Sequence, residues 1–156
     1  MRTLFLLPTL IALIIVAGCA STVPSLPGSQ QTLNLNQQAN FENNDYAFTA
    51  AINHIEIKNN QTIIVTLTIE NTGQTAMTLS AMSSLNDPIG QSYVGQTVFF
   101  SQIAPGHKVT QTGTISLPEG VINQLTKGST LKYRFQGTSP VPYETTWNVD
   151  LTNLPS

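Results

Sequence analysis

The chain has 156 residues, of which 9% are charged, with a formal net charge of −2, a length suited to one domain of roughly 100 to 200 residues. The missing charge is replaced by 21 Thr, 13 Asn and 12 Gln, which hydrogen-bond without ionising, so disorder through charge excess is excluded. Six Lys and Arg with no cluster exclude nucleic-acid binding by a basic stripe, and a single Cys excludes an internal disulfide or a Cys-based zinc site.

Arg2 precedes an apolar run from Leu4 to Ala17, interrupted only by Pro8 and Thr9, that ends in Val16-Ala17-Gly18-Cys19. The run has the layout of a secretory signal peptide and falls short of the roughly 20 apolar residues of a membrane-spanning helix. Val-Ala-Gly-Cys resembles the lipobox of prokaryotic lipoproteins. That resemblance implies a removed leader over 1–18 and a diacylglycerol on the Cys19 thiol, hence an extracytoplasmic protein held on the cell membrane or outer membrane through acylated Cys19. Two or more acyl chains anchor stably, because each buried CH2 contributes about 0.8 kcal/mol. From Cys19 to Asn44 the chain is rich in Ser, Pro, Gln and Asn, with Glu42 its only charge, and reads as a flexible tether. Leu33 and Leu35 give the one hint of a strand within it.

From Tyr46 the apolar period is two, and residues 45–156 read as one domain. Thr62 to Glu70 places Ile63, Val65, Leu67 and Ile69 on one face and Ile64, Thr66, Thr68 and Glu70 on the other, the pattern of a half-buried strand. The preceding strand, Phe48 to Ile57, shifts phase between Ile52 and Ile55, which predicts a bulge near Asn53-His54, and Asn59-Asn60 supplies the turn. Further strands fit Thr75 to Ala81, Tyr93 to Phe100, Val109 to Leu117, Thr130 to Phe135 and Thr145 to Leu151, with Gly, Asn and Pro turns between them. Residues 120–126 allow one helical turn. Seven short strands predict an all-β fold, an antiparallel immunoglobulin-like sandwich. Its core takes Ile63, Val65, Leu67 and Ile69 with Val109, Ile115, Leu117, Leu131, Tyr133, Phe135, Trp147 and Val149.

The Glu70-Asn71-Thr72-Gly73 strand end, the Asp87 to Gly90 turn before Tyr93, Ile103-Ala104-Pro105-Gly106, Thr112-Gly113-Thr114-Ile115 closing on Leu117-Pro118, and Leu131 to Phe135 together resemble a known family. It is the immunoglobulin-like lipoprotein domains of unknown function from bacteria and archaea, similar in fold to a secreted mycobacterial immunoprotective antigen. The resemblance covers residues 47–136 and implies fold and location rather than chemistry.

Catalytic candidates are sparse. His107 sits in a Pro-Gly turn, His54 at the expected bulge, and the eight carboxylates are scattered. Ser83, Ser84 and Asp87 are neighbours without a nucleophile elbow, and Asn86-Asp87 lacks the alternating oxygens of a calcium loop. No cofactor or metal is expected, and the domain is expected not to be an enzyme. Binding falls instead on residues 86–107, where the adjacent aromatics Phe99 and Phe100 must point to opposite faces of a strand. One phase buries Tyr93 and Phe99. The other, which Val98 favours, buries Val94, Val98 and Phe100 and exposes Tyr93 and Phe99. Tyr93, Phe99 and Phe100 are therefore the candidate binding residues, since exposed aromatics dominate interface energies. The expected function is a lipid-anchored, non-catalytic module that binds an envelope protein or a ligand; the alternatives are an accessory subunit of an envelope complex or an extracytoplasmic hydrolase.

Overall fold

The computed structural model describes residues 30–43, 46–125, 128–138 and 142–151; the expected leader and Cys19 lie outside the described residues. Nine strands are present among them: β1 (Gln30–Asn34), β2 (Ala39–Glu42), β3 (Ala47–Lys58), β4 (Thr62–Asn71), β5 (Met77–Asn86), β6 (Ser92–Ile103), β7 (Lys108–Ser116), β8 (Ser129–Gln136) and β9 (Tyr143–Val149), with one 3-10 turn at Ile122–Gln124. They form two sheets, β1-β9-β8-β5-β6 and β2-β3-β4-β7, packed as an immunoglobulin-like sandwich. Every pairing is antiparallel except β1 with β9.

The register follows from the alternation. Ile63, Val65, Leu67 and Ile69 are buried and face a core that contains Leu131, Tyr133, Phe135, Trp147 and Val149. Ile115 and Leu117 are buried with them, whereas Val109 is half-buried against the core. The β3 register shifts between Ile52 and His54, where the apolar phase breaks. Asn59 and Asn60 turn the chain with φ of 52° and 49°, a conformation Asn tolerates better than most residues. Asn71 holds one end of the sandwich together. Its buried Nδ2 donates to the carbonyls of Thr75 and Ile103, both at 2.8 Å, and its Oδ1 accepts from the Gly73 amide at 2.9 Å.

The flexible tether expected over 19–44 does not extend to Asn44, because β1 and β2 occupy its second half. Phe41, only 2% exposed, pairs with Phe48 and stacks on it at 4.8 Å between ring centroids. It also meets Phe135 and Tyr143, each at 5.4 Å. The Trp147 indole N–H donates to the Gln37 carbonyl at 3.0 Å, and the Gln31 side-chain Nε2 donates to the Asn40 carbonyl at 3.0 Å. Four or five residues are too few to display a period, and their stability comes from edges supplied by strands far along the chain.

Candidate functional site

The hairpin of β5 and β6 carries all four exposed large hydrophobic residues found among the described residues: Phe99 at 72% exposure, Val94 at 64%, Met82 at 39% and Ile89, in the connecting loop, at 82%. Burial of such side chains normally stabilises a fold, so their collection on one hairpin marks a surface. Three of them share a face. β5 alternates strictly, with Leu79, Ala81, Ser83 and Leu85 inward, and its outward Ser80, Met82 and Ser84 pair with Phe99, Thr97 and Val94 of β6.

Two register shifts in β6, each adding a residue to that strand, produce this arrangement. Near Phe100 the phase buries Phe100 completely and turns Phe99 out. A bulge between Val94 and Thr97 then reverses the phase, so Val94 is outward and Tyr93 inward, opposite Leu85 and half-buried against the core. Of the three candidate binding residues, Phe99 alone is exposed. Phe100 is corrected to a core residue, because Leu79 opposite it fixes that side of the strand to the interior. Tyr93 is corrected from exposed to half-buried; its hydroxyl donates to Gln91 Oε1 at 2.9 Å. Val94, expected to be buried in that phase, is exposed.

β7, at the edge of the other sheet, lies beside β6. A Cβ on Gly95 would meet Ser83 Oγ, Ile115 Cγ1 at 2.7 Å and the Thr114 carbonyl oxygen at 3.0 Å, and one on Gly113 would meet Val98 Cγ2 at 3.0 Å. Two glycines thus allow the two sheets to approach at this side.

On the opposite flank of β5 the outward residues are cationic. Met82 pairs with Arg134 and Ser84 with Lys132 on β8. Glu144 of β9 holds both: Lys132 Nζ is 2.8 Å and Arg134 Nε 3.9 Å from its carboxylate. The face therefore runs from apolar at β6 to basic at β8 to a single acid at β9.

Beside the Asn86 to Gln91 loop, a cavity of about 120 Å³ is lined by Asp87, Pro88, Gln91, Tyr93, Val121 and Leu125, among others. Asp87 Oδ1 accepts from the amides of Ile89 at 3.1 Å and Gln91 at 2.8 Å, which closes the loop on itself. The remaining chemical candidates are dispersed. Ser83 is buried in the core, where its hydroxyl neighbours the Tyr133 phenol without meeting strict hydrogen-bond geometry; burial pushes that phenol well above its ordinary range, an effect the Ser83 neighbour partly offsets. Ser84 faces outward. His54 lies exposed on the outer face of the four-stranded sheet opposite Thr66, and His107 is exposed in the turn before β7 with Nδ1 3.0 Å from the Pro105 carbonyl. Among the described residues no three His, Cys, Asp or Glu side chains converge in a way that could hold a metal ion, and no helix is long and apolar enough to cross a membrane.

No protein-family model and no curated protein matches the chain. Solved structures with similarity include β-glucosidase 3B from Thermotoga neapolitana in complex with glucose (16% identity, TM-score 0.43, 67% of this chain and 16% of that one). Two others are the ApaA protein from Bordetella pertussis (20%, 0.40, 65% and 88%) and the β-glucosidase from Kluyveromyces marxianus in complex with glucose (10%, 0.45, 68% and 14%). The chain thus spans about one sixth of the Thermotoga enzyme, and no activity transfers from any of the three.

Proposed function

We propose that this chain is an extracytoplasmic lipoprotein, anchored through acylated Cys19, whose sandwich is a non-catalytic module that binds a protein of the cell envelope through the outward face of β5 and β6. The leader ending in Val16-Ala17-Gly18-Cys19 supports the anchor, as does the resemblance to immunoglobulin-like lipoprotein domains. The observation that carries the binding role is the placement of Met82, Val94 and Phe99 on one sheet face, with Ile89 in the adjoining loop. An exposed aromatic surrounded by short polar side chains has the composition of an interface anchor.

Two variants test the two halves separately. Cys19→Ala is expected to leave an unprocessed precursor or to release the protein from the membrane fraction. Phe99→Lys is expected to keep membrane partitioning and thermal stability while losing the proteins that cross-link to the wild type in intact cells. Unchanged detergent partitioning and mobility of Cys19→Ala would sink the anchor, and an unchanged cross-linking pattern of Phe99→Lys would sink the binding face.

A further inference from the structure

We propose that the cavity between the loop over 87–91 and the turn over 121–125 binds a short alkylammonium group, either a free primary amine or the end of a lysine side chain. The site is separate from the outward face of β5 and β6 and does not rest on the binding role given to that face above.

The cavity joins one charge to an aliphatic wall. Pro88 and Ile89 of the loop and Val121 and Leu125 of the turn supply the aliphatic surface; Leu125 is buried, whereas Pro88 and Ile89 are open to solvent. Asp87 is the one charged residue of the lining, and it forms no ion pair among the described residues. Its Oδ1 is committed to the amides of Ile89 and Gln91, and neither bond uses Oδ2. Two backbone bonds, from the Asp87 amide to the Gln91 carbonyl at 2.9 Å and from the Gly90 amide to the Asp87 carbonyl at 3.1 Å, close the same loop. On the other wall the Gln124 amide donates to the Val121 carbonyl at 2.8 Å. Both walls are thus held before any ligand arrives, which lowers the ordering cost of binding.

The lining selects against most small ligands. An anion is repelled by Asp87, and a purely apolar guest would strip water from the carboxylate without replacing its hydrogen bonds. A calcium ion takes about six to eight oxygen ligands, whereas four of the eight lining residues are aliphatic. Size decides among the rest. The cavity measures about 120 Å³, and one of about 150 Å³ holds benzene, so it encloses slightly fewer heavy atoms than benzene has. A hexose, with about twice the heavy atoms of benzene, is too large to be enclosed. A butylammonium group matches, and it is what a lysine side chain carries beyond its Cα.

The polar groups match the same head. An ammonium offers three N–H donors and no acceptor. The Tyr93 hydroxyl gives its own proton to Gln91 Oε1 at 2.9 Å, which leaves the phenol oxygen as an acceptor beside Asp87 Oδ2 and the Gln124 side-chain carbonyl. A charge-assisted bond to the carboxylate is the strongest of the three, and the Tyr93 ring adds an aromatic wall that favours a cation.

The test titrates the full isotope-labelled chain, in a nonionic detergent, with n-butylammonium chloride while amide chemical shifts are followed. Shifts are expected to saturate over 87–93 and 121–125 with a Kd of about 1 to 10 mM, and n-butanol, equally long but uncharged, is expected to bind about tenfold more weakly or not at all. Asp87→Asn keeps an oxygen for the Ile89 and Gln91 amides but removes the charge. It is expected to weaken n-butylammonium binding by about tenfold or more while the melting temperature stays within about 2 °C. Phe99→Lys is expected to leave the Kd unchanged, so this site and the binding face fail independently. Lysine blocked at both backbone ends separates the two sources: a comparable Kd supports a protein lysine as occupant, and its exclusion while n-butylammonium binds supports a free amine. The proposal is overturned by the absence of saturable shifts with n-butylammonium, by equal binding of n-butanol, by glucose saturating the same amides in its place, or by an unchanged Kd in Asp87→Asn.

Discussion

β4 and β6 are strands of ten and twelve residues that follow opposite rules. β4 is paired on both sides, by β3 and β7, and buries every second residue without interruption from Ile63 to Asn71. One slipped residue there would turn four aliphatics to solvent. β6 ends its sheet, contains no charged residue, is shifted twice in register, and fully buries only Phe100 and Ile103. A strand constrained on both sides keeps its phase, whereas an edge strand can break phase and turn its largest side chains outward. The four-stranded sheet's outer face accordingly shows Thr66 paired with Thr112 and Thr68 with Thr110, while the β6 side of the other sheet shows Phe99 and Val94.

Denaturant unfolding of single variants breaks or sharpens this contrast. Phe100→Ala is expected to cost the most, about 3 to 5 kcal/mol, because it empties a fully buried site; a cost under about 1 kcal/mol would mean that the β6 phase is wrong. Leu67→Ala follows at about 2 to 5 kcal/mol, against well under about 1 kcal/mol for Thr66→Ala on the outward face. Equal costs for those two would contradict the register of β4. Gly95→Ala is expected to cost about 1 to 3 kcal/mol, because the new methyl must displace Ile115 and the backbone of Thr114 as well as the Ser83 hydroxyl.

Tyr133 supplies a pH-dependent comparison. Its phenol titrates above the ordinary value of 10.0 because burial disfavours the phenolate. The unfolded chain therefore releases this proton first as pH rises, so stability is undiminished below pH 10 and falls above it. Tyr133→Phe is expected to change stability little at neutral pH and to flatten the alkaline decline; an identical alkaline limb in the variant would show that the phenol is not the responsible group. Phe99→Ala closes the series with the smallest effect, within about 0.5 kcal/mol, despite removing a ring as large as that of its neighbour Phe100.

Much of the fold was legible because it is written locally. The strict alternation of 62–70, the phase break at Asn53-His54 and the Asn59-Asn60 turn each rest on a few adjacent residues, and each stands where local chemistry places it. The Phe99 and Phe100 pair was legible only as an alternative. Both phases of β6 are realised, one around Phe100 and the other at Tyr93, because a bulge separates them, and the one local trace of that bulge is Gly95. Asn71 is recognisable from the sequence as a turn residue. That it holds the Ile103 carbonyl, 32 positions away, is not.

By itself the sequence determines an all-β domain and the core face of β4, since period and turn chemistry are properties of neighbouring residues. Tertiary structure alone decides that 30–34 and 39–42 are strands, because short polar segments become strands only when the edges of β9 and β3 are there to pair with them. It also decides that Phe99 faces solvent while Phe100 does not. That outcome depends on Leu79 of β5, which stands opposite Phe100 and fixes that side of β6 to the interior.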